Sequence, residues 1–159
     1  MSSKALSITK AAIIAALYVI LTFISASMGL SSGVIQLRLS EMLCILPAFT
    51  PAAIPGLFVG CLLSNLLTGC MPLDVIFGSL ATLLGAVGTY FLRKRKWLTP
   101  LPPMIANTII VPFVLAYVYQ FEGSIPFFML TVGAGEVLSC GVLGMLFHFI
   151  LEKHSRHLL

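Results

Sequence analysis

Charge is what this chain has least of: Asp, Glu, Lys and Arg make up 9% of its 159 residues, against 59% hydrophobic ones. A water-soluble domain carries about 25% charged residues. So little charge excludes an ordinary cytoplasmic enzyme, a nucleic-acid-binding domain and a disordered segment. There is no G-x-x-x-x-G-K-[ST] phosphate loop, so the chain does not hydrolyse ATP by that route, and no H-E-x-x-H zinc motif. There is no C-x-x-C pair either. Cys44, Cys61, Cys70 and Cys140 lie singly in or beside apolar runs and read as small packing residues, not as a disulfide framework. His148, His154 and His157 near the C-terminal end are too sparse for a metal site. No metal and no cofactor is expected in this chain.

What is there is a series of apolar runs. A spanning helix needs about 20 residues, so six passes use about 120. The expectation is an all-α polytopic membrane protein, a single transmembrane domain over 1–159. Its six helices fall at about 9–27, 39–50, 53–69, 73–92, 103–119 and 126–151, with no room for a separate soluble domain. The first run ends in Ser25-Ala26-Ser27, which resembles a signal-peptide cleavage site, but it is longer than a signal core and further spans follow at once. The second run differs from the rest. Residues 34–39 alternate apolar and polar, the period of extended chain. They lead into a helix that Ser40 can cap. At about 12 residues, or ~18 Å, that helix crosses a bilayer only together with its lead-in.

Eight of the nine basic residues sit in three places: Lys4 and Lys10, then Arg93 to Lys96, then Lys153 and Arg156. Basic residues stay on the cytoplasmic side. Even numbers of passes must therefore separate the clusters, and six passes satisfy this with both termini cytoplasmic. Glu41, Asp74, Glu122 and Glu136 then fall in the outer half, with Arg38 as the one outer cation and Glu152 as the one inner acid.

Charges within membrane segments default to functional hypotheses. Glu136 is the deepest, ~15 Å down the last helix, with no partner at helical spacing. Arg38 and Glu41, three apart, either pair with each other or contact a ligand. Asp74 either caps a helix or binds, and Glu122 reads as solvated loop. Asn65, Ser79, Thr82 and Asn107 are either ligand contacts or interhelical glue. Two small-residue faces stand out: Gly56-x-x-x-Gly60-x-x-x-Ser64 for packing within the chain, and Ala11/Ala15 with Ala12/Ala16 for a protein partner.

Three segments carry a resemblance. They are Ile35-Gln36-Leu37-Arg38-Leu39-Ser40-Glu41; Pro51-Ala52-Ala53-Ile54-Pro55-Gly56-Leu57 with Gly60-Cys61 and Asn65; and Asp74 to Thr82. In order and spacing they resemble the QueT family, and the hydropathy agrees over nearly the whole chain. QueT-like proteins are substrate-binding S-components of energy-coupling-factor (ECF) transporters. The resemblance implies six helices in the plasma membrane of a prokaryote and a ligand site on the extracellular side for queuine or a related deazaguanine base. It also implies a transmembrane coupling protein and two ATPases that use the ATP. The coupling protein meets the small-residue face of the first helix, which maps onto Ala11, Ala12, Ala15 and Ala16.

The resemblance does not say which residues touch the base; chemistry suggests them. A guanine-like edge presents adjacent N–H donors that a carboxylate accepts bidentately, and Glu136 is the first choice. Asn107 can read the carbonyl edge. Arg38, Gln36 and Glu41 line the outer mouth, Asp74 can meet the aminomethyl cation of some precursors, and Asn65 completes the set. Other readings are an S-component for another vitamin-like molecule, or a small membrane enzyme or helper without a transport role. An importer copurifies with a bound base and recruits a coupling protein; a helper does neither.

Overall fold

A computed structural model describes residues 3–30 and 36–155. Val34 and Ile35 of the alternating stretch, and Arg156 and His157 of the tail, lie outside the described residues. Every element found is helical. α1 is Ser3–Ser27. A 3₁₀ helix, Leu39–Ala48, follows, then α2, Ala53–Leu67, and α3, Pro72–Phe91. A short turn at Lys96–Leu98 leads to α4, Leu101–Tyr117. The last rod is α5, Ile125–Glu136, a π-helical stretch Val137–Leu143, and α6, Gly144–Ser155.

Four stretches are long and apolar enough to cross a membrane: Ser3–Ser27, Pro72–Phe91, Lys96–Tyr117 and Ile125–His154. This is a multi-pass membrane protein. Large apolar side chains such as Ile13, Leu66, Leu84, Ile105 and Leu130 are exposed on its flanks, as lipid-facing surfaces require. Leu39–Ala48 and Ala53–Leu67 are shorter.

The second run departs from expectation. It is 3₁₀ rather than α, and i→i+3 bonding stretches ten residues over ~20 Å instead of ~15 Å. Ser40 does not cap it; its hydroxyl accepts from Thr22 Oγ1 on α1 at 2.8 Å. The N–H at the start, on Leu39, is met by Ser25 Oγ at 2.9 Å. Tyr18, Thr22 and Ser25 are buried along one stripe of α1, and this stripe holds the start of the 3₁₀ helix. That helix is central, touching α1, α2, α3, the π-helical stretch and α6. Leu43, Cys44 and Ile45 on it are almost completely buried.

α1 and α2 approach closely because Gly56 and Gly60 have no side chains. A Cβ on Gly56 would lie 2.7 Å from the Ala11 carbonyl oxygen, and one on Gly60 would lie 3.1 Å from the Ala15 Cα. The small face of α2 therefore packs within the chain, as expected, and its partner is the Ala11/Ala15 face. This corrects the reading of those two alanines as a free docking face. Ala15 is buried and Ala11 half-buried, while Ala12 and Ala16 are exposed.

One G-x-S-x-G match, Gly29 to Gly33, has the spacing of a hydrolase nucleophile turn. It follows α1 rather than the strand that such a turn needs, and Ser31 itself lies outside the described residues.

Candidate functional site

The extended lead-in, the 3₁₀ helix, α3, α4 and α5 enclose one polar cavity. Gln36, Arg38, Glu41, Asp74, Asn107 and Glu136 all line it, joined by Gly78, Thr82, Val111 and Val132. Six of the seven suggested ligand residues thus meet in one place. The seventh, Asn65, stands behind Arg38 and accepts a bond from its Nη1 at 3.3 Å. Glu122 is exposed in the α4–α5 loop. The cavity volume is about 20 Å³, room for about one water.

Arg38 and Glu41 do not pair. Arg38 is extended, with φ −104° and ψ 110°, just ahead of the 3₁₀ helix, so the neighbour rule for residues three apart on a helix does not reach it. Glu41, 2% exposed, is instead held from three sides. Oε1 accepts from the Tyr18 hydroxyl. Oε2 accepts from Cys44 Sγ at 3.0 Å and from Asn107 Nδ2 at 3.4 Å. The same Asn107 nitrogen donates to Glu136 Oε1 at 3.0 Å. Asn107 therefore links the two carboxylates and is glue as well as a lining residue.

Asp74 is not the N-cap of α3; Met71 holds that position with Pro72 after it. The Asp74 carboxylate is buried in the first turn and accepts from the Tyr119 hydroxyl at 2.8 Å, while that hydroxyl accepts from the Met71 N–H at 3.2 Å. α2 and α3 are brought round by the turn at Gly69, φ 76°, where the Cys70 N–H returns to the Asn65 carbonyl at 2.9 Å. Asn65 and Asp74 thereby flank one wall.

Two buried atoms at this cavity have no hydrogen-bond partner among the described residues: Arg38 Nε, a donor, and Glu136 Oε2, an acceptor. Buried polar groups are almost always paired, so each such atom calls for an explanation. Glu136 also ends α5 directly before the π-helical stretch Val137–Leu143, a distortion frequent at functional sites.

Ser79 bonds within its own helix, whereas Thr82 also reaches across to α2 as interhelical glue. Ser79 Oγ donates to the Val75 carbonyl, and Thr82 Oγ1 donates to the Gly78 carbonyl and to Cys61 Sγ. The ligand-type atoms of Glu41, Cys44 and Cys140 lie within 4.8 Å of one another. Cys44 donates to the Glu41 carboxylate and Cys140 to the Glu41 carbonyl; hydrogen bonding accounts for the grouping without an ion. Tyr18 and Tyr119, which hold two of the three cavity carboxylates, were not among the suggested residues. A tyrosine in an apolar run still needs a partner for its hydroxyl, and that was the available signal.

A family model described as QueT transporter matches residues 8–153. A curated relative, "Queuosine precursor transporter QueT" of Lactococcus lactis subsp. cremoris, is 44% identical over 81 residues. That match covers 51% of this chain and 47% of the relative, about half the relative's length. Both names describe transport, and neither describes a catalysed reaction. No solved structure matches the chain.

Proposed function

The chain belongs to the QueT transporter family, and from that premise we propose that it captures a queuosine precursor for an ECF-type importer. The ligand is queuine or a related deazaguanine base, taken from the extracellular side. The observation that carries this reading is the orphaned pair Arg38 Nε and Glu136 Oε2. A ligand that completes both offers an acceptor to the guanidinium and a donor to the carboxylate. A guanine-like edge has its carbonyl and N–H groups side by side in one plane. Leaving such groups unmet costs roughly 1–3 kcal/mol each, so pairing both favours this edge over an apolar molecule of the same size. Three carboxylates against one guanidinium suit a neutral or cationic ligand. A cavity of about 20 Å³ must open to admit a base, so binding is coupled to movement of its walls.

Mass spectrometry of small molecules extracted from the purified protein tests the reading. A bound deazaguanine is expected; an unrelated vitamin-like molecule, with no binding of added queuine, would overturn it.

The proposed topology has six passes, with the two shorter apolar helices completing the four long ones and both termini inside. Cys70, in the α2–α3 turn, then faces outward and the basic block Arg93 to Lys96 inward. A membrane-impermeant thiol reagent should label Cys70 on intact cells. With Cys70 replaced by Ser and Lys94→Cys introduced, external labelling should vanish; strong labelling would overturn the topology.

Energy comes from a coupling protein and two ATPases. Of the four alanines on α1, only Ala12 and Ala16 remain exposed for the coupling protein. Ala16→Leu is expected to abolish uptake in cells while leaving queuine affinity unchanged, because bulk prevents close helix approach. Ala15→Leu pushes against α2 and should lower thermal stability by roughly 1–3 kcal/mol. Normal uptake by both Ala12→Leu and Ala16→Leu would remove α1 from the coupling surface.

A further inference from the structure

We propose that the cytoplasmic end of the bundle holds an anionic phospholipid by its headgroup phosphate. The pocket lies between the end of the 3₁₀ helix, the α3–α4 connector and α6. Phe49, Arg93, Lys94, Lys96, His148 and Glu152 line it, around a volume of about 340 Å³. The outer cavity holds only about 20 Å³.

Three cations face one carboxylate there, and the carboxylate is partly neutralised. Lys96 Nζ is 3.3 Å from Glu152 Oε2. Arg93 is held in place by donating to the Tyr90 carbonyl at 3.1 Å and by lying 4.0 Å above the Tyr90 ring. The pocket therefore keeps an excess of positive charge.

A second, independent observation points to a ligand. His148 is 5% exposed, and its Nδ1 is buried with no partner among the described residues. The ring is fixed by Phe49, 4.8 Å away between centroids. An imidazole nitrogen left unmet in the wall of a basic pocket is completed by a phosphate oxygen when it carries the proton.

The rim favours a lipid over a free phosphate. Trp97, next in sequence to Lys96, and Phe91, two residues before Arg93, are 67% and 74% exposed, and Trp97 packs edge-on against Phe149, the ring that Lys96 Nζ also approaches, at 5.4 Å. Exposed aromatic rings next to basic residues mark the headgroup level of a bilayer. Basic pockets between membrane helices on the cytoplasmic side take anionic headgroups. The site is separate from the substrate cavity, so it stands whether or not the base assignment does.

Trp97 is the single tryptophan and serves as the probe. The full chain is reconstituted in phosphatidylcholine nanodiscs containing increasing amounts of brominated-chain phosphatidylglycerol or brominated-chain phosphatidylcholine. Phosphatidylglycerol should quench Trp97 at a several-fold lower mole fraction. Each surface cation contributes about fivefold in affinity, so Arg93→Gln with Lys94→Gln should abolish the preference. Both residues are exposed, and unchanged circular dichroism and thermal melting confirm that the variant is folded. His148→Phe, which keeps a ring and removes Nδ1, should weaken the preference in part. Equal quenching by the two lipids, or a preference that survives the double substitution, would overturn the proposal. So would displacement by free glycerol phosphate, which would mark a site for a small soluble anion, or a double variant that loses only recruitment of the coupling protein.

Discussion

Glu136→Gln is expected to lower the affinity of the purified protein for queuine by about tenfold or more, while Asp74→Asn changes it far less. Glu136 is 9% exposed within a membrane helix, where a carboxylate is costly to keep. One oxygen is already spent on Asn107. The other, Oε2, has no partner among the described residues and is the group a ligand N–H can meet. Glutamine keeps the size and can keep the Asn107 bond. It then turns its NH₂ toward the ligand's donor, leaving two buried groups unsatisfied at roughly 1–3 kcal/mol each. A loss of about 1.4 kcal/mol is already tenfold. In Asp74→Asn the new amide can keep its oxygen toward Tyr119, so the bond seen at Asp74 survives the change. Titration of the wild type and both variants with queuine decides the matter. Equal affinity for the wild type and Glu136→Gln would mean that the base is read elsewhere.

The cavity residues were legible in the sequence because charge is expensive in a membrane. That cost alone places Arg38, Glu41, Asp74 and Glu136 in the interior, even though they come from the lead-in and three separate helices. Their pairing was not legible. Arg38 and Glu41 invite a helical i,i+3 reading, but Arg38 precedes the helix and turns to Asn65. Glu41 goes to Tyr18, twenty-three residues away, a contact that depends on how α1 crosses the 3₁₀ helix. The Tyr18, Thr22, Ser25 stripe has helical spacing and marks the inward face of α1, yet each residue alone reads as tolerable in an apolar run.

The two alanine faces of α1 differ by about 100°, and nothing local distinguishes them. The choice is made by Gly56 and Gly60 across the interface, which admit Ala11 and Ala15 and leave Ala12 and Ala16 outside. The 3₁₀ geometry of Leu39–Ala48 was hidden for a similar reason. Its first N–H is capped by Ser25 of α1 rather than by a neighbour in sequence.

Gly135→Ala should disable binding as severely as the loss of the carboxylate beside it. A Cβ at Gly135 would overlap the Gln36 carbonyl oxygen and lie 3.1 Å from its carbonyl carbon. These are backbone atoms, so no side-chain rotation relieves the overlap. Either α5 or the lead-in must move. Gln36 and Arg38 are on that lead-in and Glu136 is the next residue on α5, so either movement pulls the guanidinium and the carboxylate out of register. Overpacking of this kind typically costs about 1–3 kcal/mol in stability, and binding loses the alignment of its two reading groups as well. The expected result is a fall in queuine affinity of about tenfold or more, with a lower melting temperature in detergent. Gly133→Ala is the control on the same helix, because its Cβ would meet only the Thr108 side chain at an ordinary 3.5 Å. It should bind and melt like the wild type. If Gly135→Ala also binds queuine normally, the lead-in is not a wall of the ligand site, and Arg38 loses its place opposite Glu136.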